Sequence, residues 1–221
     1  MTEAEWLACT QFSGLWIPLV KKASKRQRRL FWCAGARRHE RYLTDRHLRD
    51  ALEVAERFAD GAASKEELQA AHAAARATEP DSSPRTRQAR AREFARVQVE
   101  ASCMSDSSMG SGWRDSYHDR GKDYDPGPEG WARLELLRDI IGNPFRTVRL
   151  DPAWLSWADG TVGRLARAIY DERAFDRMPI LADALEDAGC TNVDILGHCR
   201  GPGPHVRGCW VVDLLAREQR R

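Results

Sequence analysis

Thr44–Gly61, TDRHLRDALEVAERFADG, decides the fold class of this chain. Its apolar residues Leu48, Ala51, Leu52, Val54, Ala55 and Phe58 recur at steps of three and four. That spacing gathers them on one face of a helix. Thr44 stands where a side-chain oxygen can take an orphan amide, and Gly61 where a helix can leave through left-handed backbone. The stretch is a sequence-complete amphipathic helix: an N-cap, an apolar stripe and a glycine stop.

The same grammar repeats outward. Thr2-Glu3-Ala4-Glu5, Ser24-Lys25-Arg26-Gln27 and Ser64-Lys65-Glu66-Glu67 have the form of capping boxes, in which hydroxyl and carboxyl or amide satisfy two orphan donors reciprocally. Residues 2–78 therefore read as three or four helices, with Leu30, Phe31, Cys33 and Ala34 on a buried stripe of the second. Residues 79–88, EPDSSPRTRQ, break the composition with two prolines. A further helix is expected over 87–102. Residues 103–130 are rich in Ser, Gly and Asp without an apolar period, which predicts a flexible connector.

Periodicity restarts at Trp131. A helix over 131–141 carries Leu134, Leu137, Ile140 and Ile141. Thr147–Leu150 is a short extended segment at most. Asp151 caps a turn with Pro152, Trp154, Leu155 and Trp157, and Thr161 caps a helix with Val162, Leu165, Ile169 and Tyr170. Another helix runs from about Met178 to a stop at Gly189, Asn192 opens a short one, and a last helix is expected from about Val206 through Cys209, Val212 and Leu215. The expectation is an all-α chain of two small helical halves, 1–78 and 131–221. A long, partly flexible connector, 79–130, joins them and holds one helix. No repeat and no strand–helix alternation is visible.

Composition agrees with helices around a modest core: 42% of the 221 residues are apolar and 31% charged. No apolar run approaches the ~20 residues a membrane span needs. The N-terminal MTEAEWLACTQF is acidic where a signal peptide is basic. The expected location is cytoplasmic, with no membrane partner and with the six cysteines as reduced, small buried hydrophobes.

Two features carry candidate chemistry. The first is the tail Gly189–Arg221, GCTNVDILGHCRGPGPHVRGCWVVDLLAREQRR. Zinc takes four tetrahedral N or S ligands, and Cys190, His198, Cys199, His205 and Cys209 are five candidates. Against a metal, the tail has no C-x-x-C knuckle, and Cys209 falls on the apolar stripe with Val206 and Val212. The competing reading is a packing corner. Cys190 and Cys209 would be core residues, Gly201-Pro202-Gly203-Pro204 a tight turn, and His205 part of the last helix's first turn. No cofactor is expected, and zinc is the alternative. Adjacent His198 and Cys199 do not make a catalytic dyad, because neighbouring helical side chains point apart.

The second feature is basic charge in a chain of net charge +2. Within two basic clusters, Lys21–Arg49 and Arg85–Arg96, the residues Lys25, Arg26, Arg28, Arg29, Arg37, Arg38 and Arg41, with Arg87 and Arg90 further on, are candidates for nucleic-acid contact. Phe31, Trp32 and Tyr42 among them would suit base stacking. Near-neutrality favours pairing with the acidic helices instead. Asp171, Glu172, Asp176, Glu186 and Asp187 lie at helix ends, where capping roles suffice. No phosphate-binding glycine loop, H-E-x-x-H or G-x-S-x-G motif is present.

The segments LRDIIGNPFRTVRLDPAWL, AIYDERAFDRMPILADALEDAGC and HCRGPGPHVRGCWVVDLL, within Leu137–Leu215, resemble a family of uncharacterised bacterial proteins abundant in planctomycetes. MTEAEWLACT and ALEVAERFADGAAS resemble the first half of the same family. The resemblance implies a shared fold over well over half the chain. It brings no activity, cofactor or functional residue. The expected function is therefore that of a non-catalytic helical binding protein acting on a protein partner. A nucleic-acid-binding protein and a zinc-stabilised module are the alternatives.

Overall fold

The structure is a computed structural model, and it describes residues 1–19, 22–78, 87–104 and 127–217. Among them all regular elements are helical: α1 (Glu3–Ala8), α2 (Phe12–Leu19), α3 (Lys25–Arg38), α4 (Arg46–Ala59), α5 (Lys65–Arg76), α6 (Arg87–Met104), α7 (Gly127–Ile141), α8 (Pro152–Ser156), α9 (Thr161–Glu172), α10 (Met178–Asp187), α11 (Val193–Arg200) and α12 (Trp210–Arg217), with short 3-10 turns between some of them. The chain is all-α, as its patterning predicts. The helix expected over 87–102 is α6. Most of the expected connector, at 79–86 and 105–126, falls outside the described residues, and Gly127–Gly130 already belong to α7.

The helices gather into two compact units: Cys9–Arg133, and Met1–Ala8 with Leu134–Arg221. This division differs from the expected 1–78 and 131–221. α6 belongs with the helices before it, and α1 with the C-terminal ones.

In the unit Cys9–Arg133, caps set the helix ends. Ser24 and Gln27 form the capping box of α3, with Gln27 N–H donating to Ser24 Oγ at 3.1 Å and Ser24 N–H to Gln27 Oε1 at 3.0 Å. Ser64 and Glu67 do the same for α5. The cap of α4 is Asp45 rather than Thr44: Asp45 Oδ1 accepts from His47 N–H at 2.7 Å, one residue closer to the helix than expected. Gly61 (φ +75°) ends α4 as expected, with Ala62 N–H donating to Arg57 C=O and Gly61 N–H to Phe58 C=O.

α3 is buried along the whole run Arg29–Ala36, wider than the expected stripe. It packs on α4 and α6, and Phe12 and Trp16 of α2 stack on Phe31. Small residues at 34–36 permit that close approach on several sides. Arg133 lies with its guanidinium 4.1 Å from the Phe12 ring and 5.5 Å from Trp32.

In the unit Met1–Ala8 with Leu134–Arg221, Val162, Ala166 and Ile169 of α9 pack with Leu181 and Leu185 of α10, Ile195 and Cys199 of α11, and Val211, Val212 and Leu215 of α12. α10 closes on Gly189 (φ +86°), with Cys190 N–H donating to Leu185 C=O at 2.8 Å. Asn192 Oδ1 caps α11 by accepting from Asp194 and Ile195 N–H. Thr161 does not cap α9; Gly160 occupies the N-cap in left-handed backbone, and the Thr161 hydroxyl donates to Ala158 C=O.

The last helix starts at Trp210, not Val206. Gly208 (φ +94°) turns the chain out of helical space between Val206 and Trp210. Residues 201–209 are therefore a loop, and Cys209 stands at its end. Its carbonyl accepts the first α12 bond, from Asp213 N–H at 2.9 Å. Among the described residues, no helix is long and apolar enough to cross a membrane.

Candidate metal centre

Three positions bring four potential ligands together. α7 carries Asp139 on its inner face, between Leu136 and Ile140. α11 carries His198 in its last turn, and the 201–209 loop brings His205 and Cys209 back over both. One ligand atom from each of Asp139, His198, His205 and Cys209 lies within 4.8 Å of every other. His198 Nε2 is 3.1 Å from Cys209 Sγ and 3.1 Å from Asp139 Oδ1, and His205 Nδ1 is 2.9 Å from the same carboxylate oxygen. A tetrahedral zinc with bonds of ~2.0–2.3 Å has ligand–ligand edges of ~3.3–3.8 Å. To fit the ion, the three short edges would open by a few tenths of an ångström, and the longest, up to 4.8 Å, would close by about one.

The supporting contacts fix the carboxylate. Val206 N–H donates to Asp139 Oδ2 at 3.0 Å, which leaves Oδ1 facing the two imidazoles. The side chain of Asp139 is only 3% exposed and that of His198 19%, while Cys209 is fully buried. The His198 ring packs edge-on to His205 (centroids 4.8 Å) and tilted against Trp210 at 5.3 Å. Trp210 in turn lies over Gly142, where a Cβ would come within 3.0 Å of the indole.

Burial alone would push the Asp139 carboxyl up. The hydrogen bonds and charge of His198 and His205 outweigh it and hold the carboxyl below its ordinary value. Burial, then the nearby Asp139 charge, pushes the Cys209 thiol well above its usual range. A fully buried thiol of that kind is a poor nucleophile. Nor is there a Cys–His–Asp relay. Such a relay uses the two opposite ring nitrogens, whereas here the one atom His198 Nε2 faces both Cys209 and Asp139.

Of the five ligand candidates read from the tail, the structure brings together His198, His205 and Cys209 and leaves out Cys190 and Cys199. These two pack in the core of the unit at 2% and 0% exposure. Burial pushes the Cys199 thiol up to about 12. The exclusion of Cys199 has a helical cause: on α11 it and its neighbour His198 point to different faces. Cys209 is both things the sequence offered as alternatives, a buried residue and a member of the cluster. His205 and Cys209 do not share a helical face; a loop positions them. Asp139 was not among the candidates. Its one signal is an acid flanked by Leu136, Leu137, Ile140 and Ile141, where an apolar stripe admits a charge only with partners.

The basic candidates are mostly engaged inside the unit Cys9–Arg133. Arg26 pairs with Asp60 at 2.9 Å, and Arg37 with Glu56 at 2.9 Å and Glu40 at 2.7 Å. Arg38 faces Glu129 at 3.7 Å, and Arg28 donates to Ala23 C=O at 2.6 Å. Arg29 is 1% exposed; it donates to Ser102 C=O and stacks on Phe58. Arg41 lies over Tyr42, and Lys25 is exposed in the first turn of α3. The side chains of Arg87 and Arg90 are outside the described residues. Phe31 and Trp32, expected to suit base stacking, are core residues.

No protein-family model, no curated protein and no solved structure matches this chain.

Proposed function

We propose that the chain is a metal-binding protein, and that Asp139, His198, His205 and Cys209 hold one zinc ion that ties together the C-terminal helical unit. What carries the reading is convergence. Four lone-pair donors from α7, α11 and the following loop point at one place instead of pairing off with separate partners. An N2OS donor set in a tetrahedral arrangement suits zinc, which accepts nitrogen, oxygen and sulfur alike, and does not suit calcium or magnesium. The ion would supply the positive charge that a buried Cys209 thiolate needs, and would take the place of the imidazole charge that faces the Asp139 carboxylate. Four protein ligands are the number of a stabilising site, consistent with a protein that acts through binding.

The test is metal content of the full chain purified under reducing conditions. One zinc per chain is expected, falling far below stoichiometry in His205→Ala and Cys209→Ser. Cys190→Ser and Cys199→Ser should retain it. Cobalt exchanged for zinc should show a thiolate-to-cobalt charge-transfer band that Cys209→Ser removes. Metal-free protein that takes up neither ion would refute the proposal.

A further inference from the structure

The cluster is not sealed. An open pocket of about 200 Å³ adjoins it, lined by Glu135, Arg138, Asp139, His198, the Gly201–Pro204 turn and His205. Three of the four cluster residues line this pocket, and the fourth, Cys209, does not. Asp139, His198 and His205 thus form a triangle facing the pocket, with Cys209 Sγ behind it. A metal among the four would turn one coordination face, the one opposite the sulfur, toward open space.

The walls of the pocket favour access. Gly201-Pro202-Gly203-Pro204 presents no side chain long enough to reach across the triangle. Gly203 could not easily gain one: its φ is +79°, and a Cβ would sit 2.9 Å from His205 N. The wall also carries charge. Arg138 is the chain neighbour of Asp139, and its guanidinium donates to Glu135 Oε1 at 3.1 Å across one helical turn. Both side chains are partly exposed, at 27% and 44%. Such a surface pair is weak and exchangeable.

We infer that the pocket-side face of the metal takes a small carboxylate as a fifth, exchangeable ligand. One oxygen would coordinate the ion opposite Cys209, and the other would meet Arg138 in place of Glu135. This rests on the zinc reading above. The class follows from the pairing of a Lewis acid with a guanidinium in one pocket, since a carboxylate offers two oxygens in a plane to match both. Zinc with four ligands can expand to five. Size follows from volume: at ~30 Å³ per water-sized group, the pocket holds about six or seven such groups. That admits acetate-sized to small dicarboxylate molecules.

The experiment titrates the cobalt-substituted full chain with acetate and follows the visible bands. Acetate should weaken and shift the bands as four-coordinate cobalt becomes five-coordinate, while the Cys209 charge-transfer band persists. Arg138→Gln should weaken acetate binding about tenfold, the worth of one charge-assisted hydrogen bond. Arg138 also donates toward the carbonyls of Trp6 and Leu7, so a second variant guards against a folding defect. Glu135→Gln, which removes the competing carboxylate, should tighten acetate severalfold. Intact cobalt bands that acetate leaves unchanged would overturn the inference and leave the metal site standing. Acetate binding that is the same in both variants as in the parent would overturn the two-point carboxylate. Cobalt bands missing before any acetate is added would sink the metal site and this inference together.

Discussion

Removing the metal should destabilise one unit and spare the other. The ion would join Asp139 to His205, 66 residues apart in the chain, and Cys209 to His198, 11 apart. A crosslink closing a loop of the longer length is worth about 4 kcal/mol in the chain-entropy description. Mass action sets what a given solution supplies: at free zinc ~100 times the Kd, binding the native state alone stabilises by about 2.7 kcal/mol. The unit Met1–Ala8 with Leu134–Arg221 has roughly 100 residues, and for that size each kcal/mol moves Tm by about 4–8 °C. Chelation should lower its melting transition by roughly 10–20 °C relative to zinc-saturated protein. Calorimetry reads the shift, and hydrogen exchange locates it: amides in α9–α12 should lose protection, and those in α3–α6 should keep it. An unmoved transition across that zinc range refutes a stabilising ion. A shift that survives in His205→Ala places the ion elsewhere.

Three further outcomes follow from named contacts. Arg37→Met removes the guanidinium that donates to Glu56, 2% exposed, and should cost about 3 kcal/mol in denaturant unfolding, whereas Arg37→Met with Glu56→Leu should recover most of the loss. Gly142→Ala places a β-carbon in left-handed backbone (φ +69°) against Trp210 and should cost about 1–2 kcal/mol. It should also weaken zinc in a competition assay, because Trp210 packs on the His198 ring. Burial pushes the Cys103 thiol up to about 11 from 9.0, so the folded state binds that proton more tightly. The stability this contributes is present below pH 9 and lost as pH rises through 11, to a limit of about 3 kcal/mol. Unfolding midpoints of Cys103→Ala should fall less steeply than those of the parent between those pH values, and equal slopes would reject the assignment.

The helices were legible because each is specified locally. Ser24, Ser64, Asn192 and Gly61 do in the structure what their residue types do at any helix end. Local rules erred where two adjacent residues could serve, as with Asp45 for Thr44, and where a loop interrupts a compatible period, as with Val206–Cys209. Val206, Cys209 and Val212 do keep helical spacing, but the left-handed backbone at Gly208 breaks the helix between them. The site was half legible. His198, His205 and Cys209 stand close in sequence and carry the right donor types, while nothing in the spacing excluded Cys190, and the adjacency of His198 and Cys199 said only that the two would not both join. Asp139 could not be found that way, since it joins the others only through the packing of α7 against the tail loop. The pairing of the basic run was hidden for the opposite reason. Arg26, Arg29 and Arg37 look unpaired in sequence because Asp60, Ser102 C=O and Glu56 come to them from other helices.

Proton accounting separates a metal centre from a hydrogen-bonded cluster of the same shape. Without an ion, Asp139 Oδ1 accepts from both imidazoles, so His198 Nε2 and His205 Nδ1 must both carry hydrogen. His198 Nε2 then has no lone pair for the Cys209 S–H, which is left to compete with the two imidazoles for the Asp139 carboxylate. With an ion, all four atoms act as lone-pair donors and the conflict disappears, at the expense of the thiol proton. Zinc uptake should therefore release at least one proton per chain, because only the thiolate ligates. Calorimetric titration in buffers of different ionisation enthalpy measures that number. The release should drop by about one in a Cys209→Ala variant that still binds zinc more weakly through the other three ligands. Zinc binding by the parent chain with no proton released would show that Cys209 is no ligand, and that its place beside the other three is packing alone.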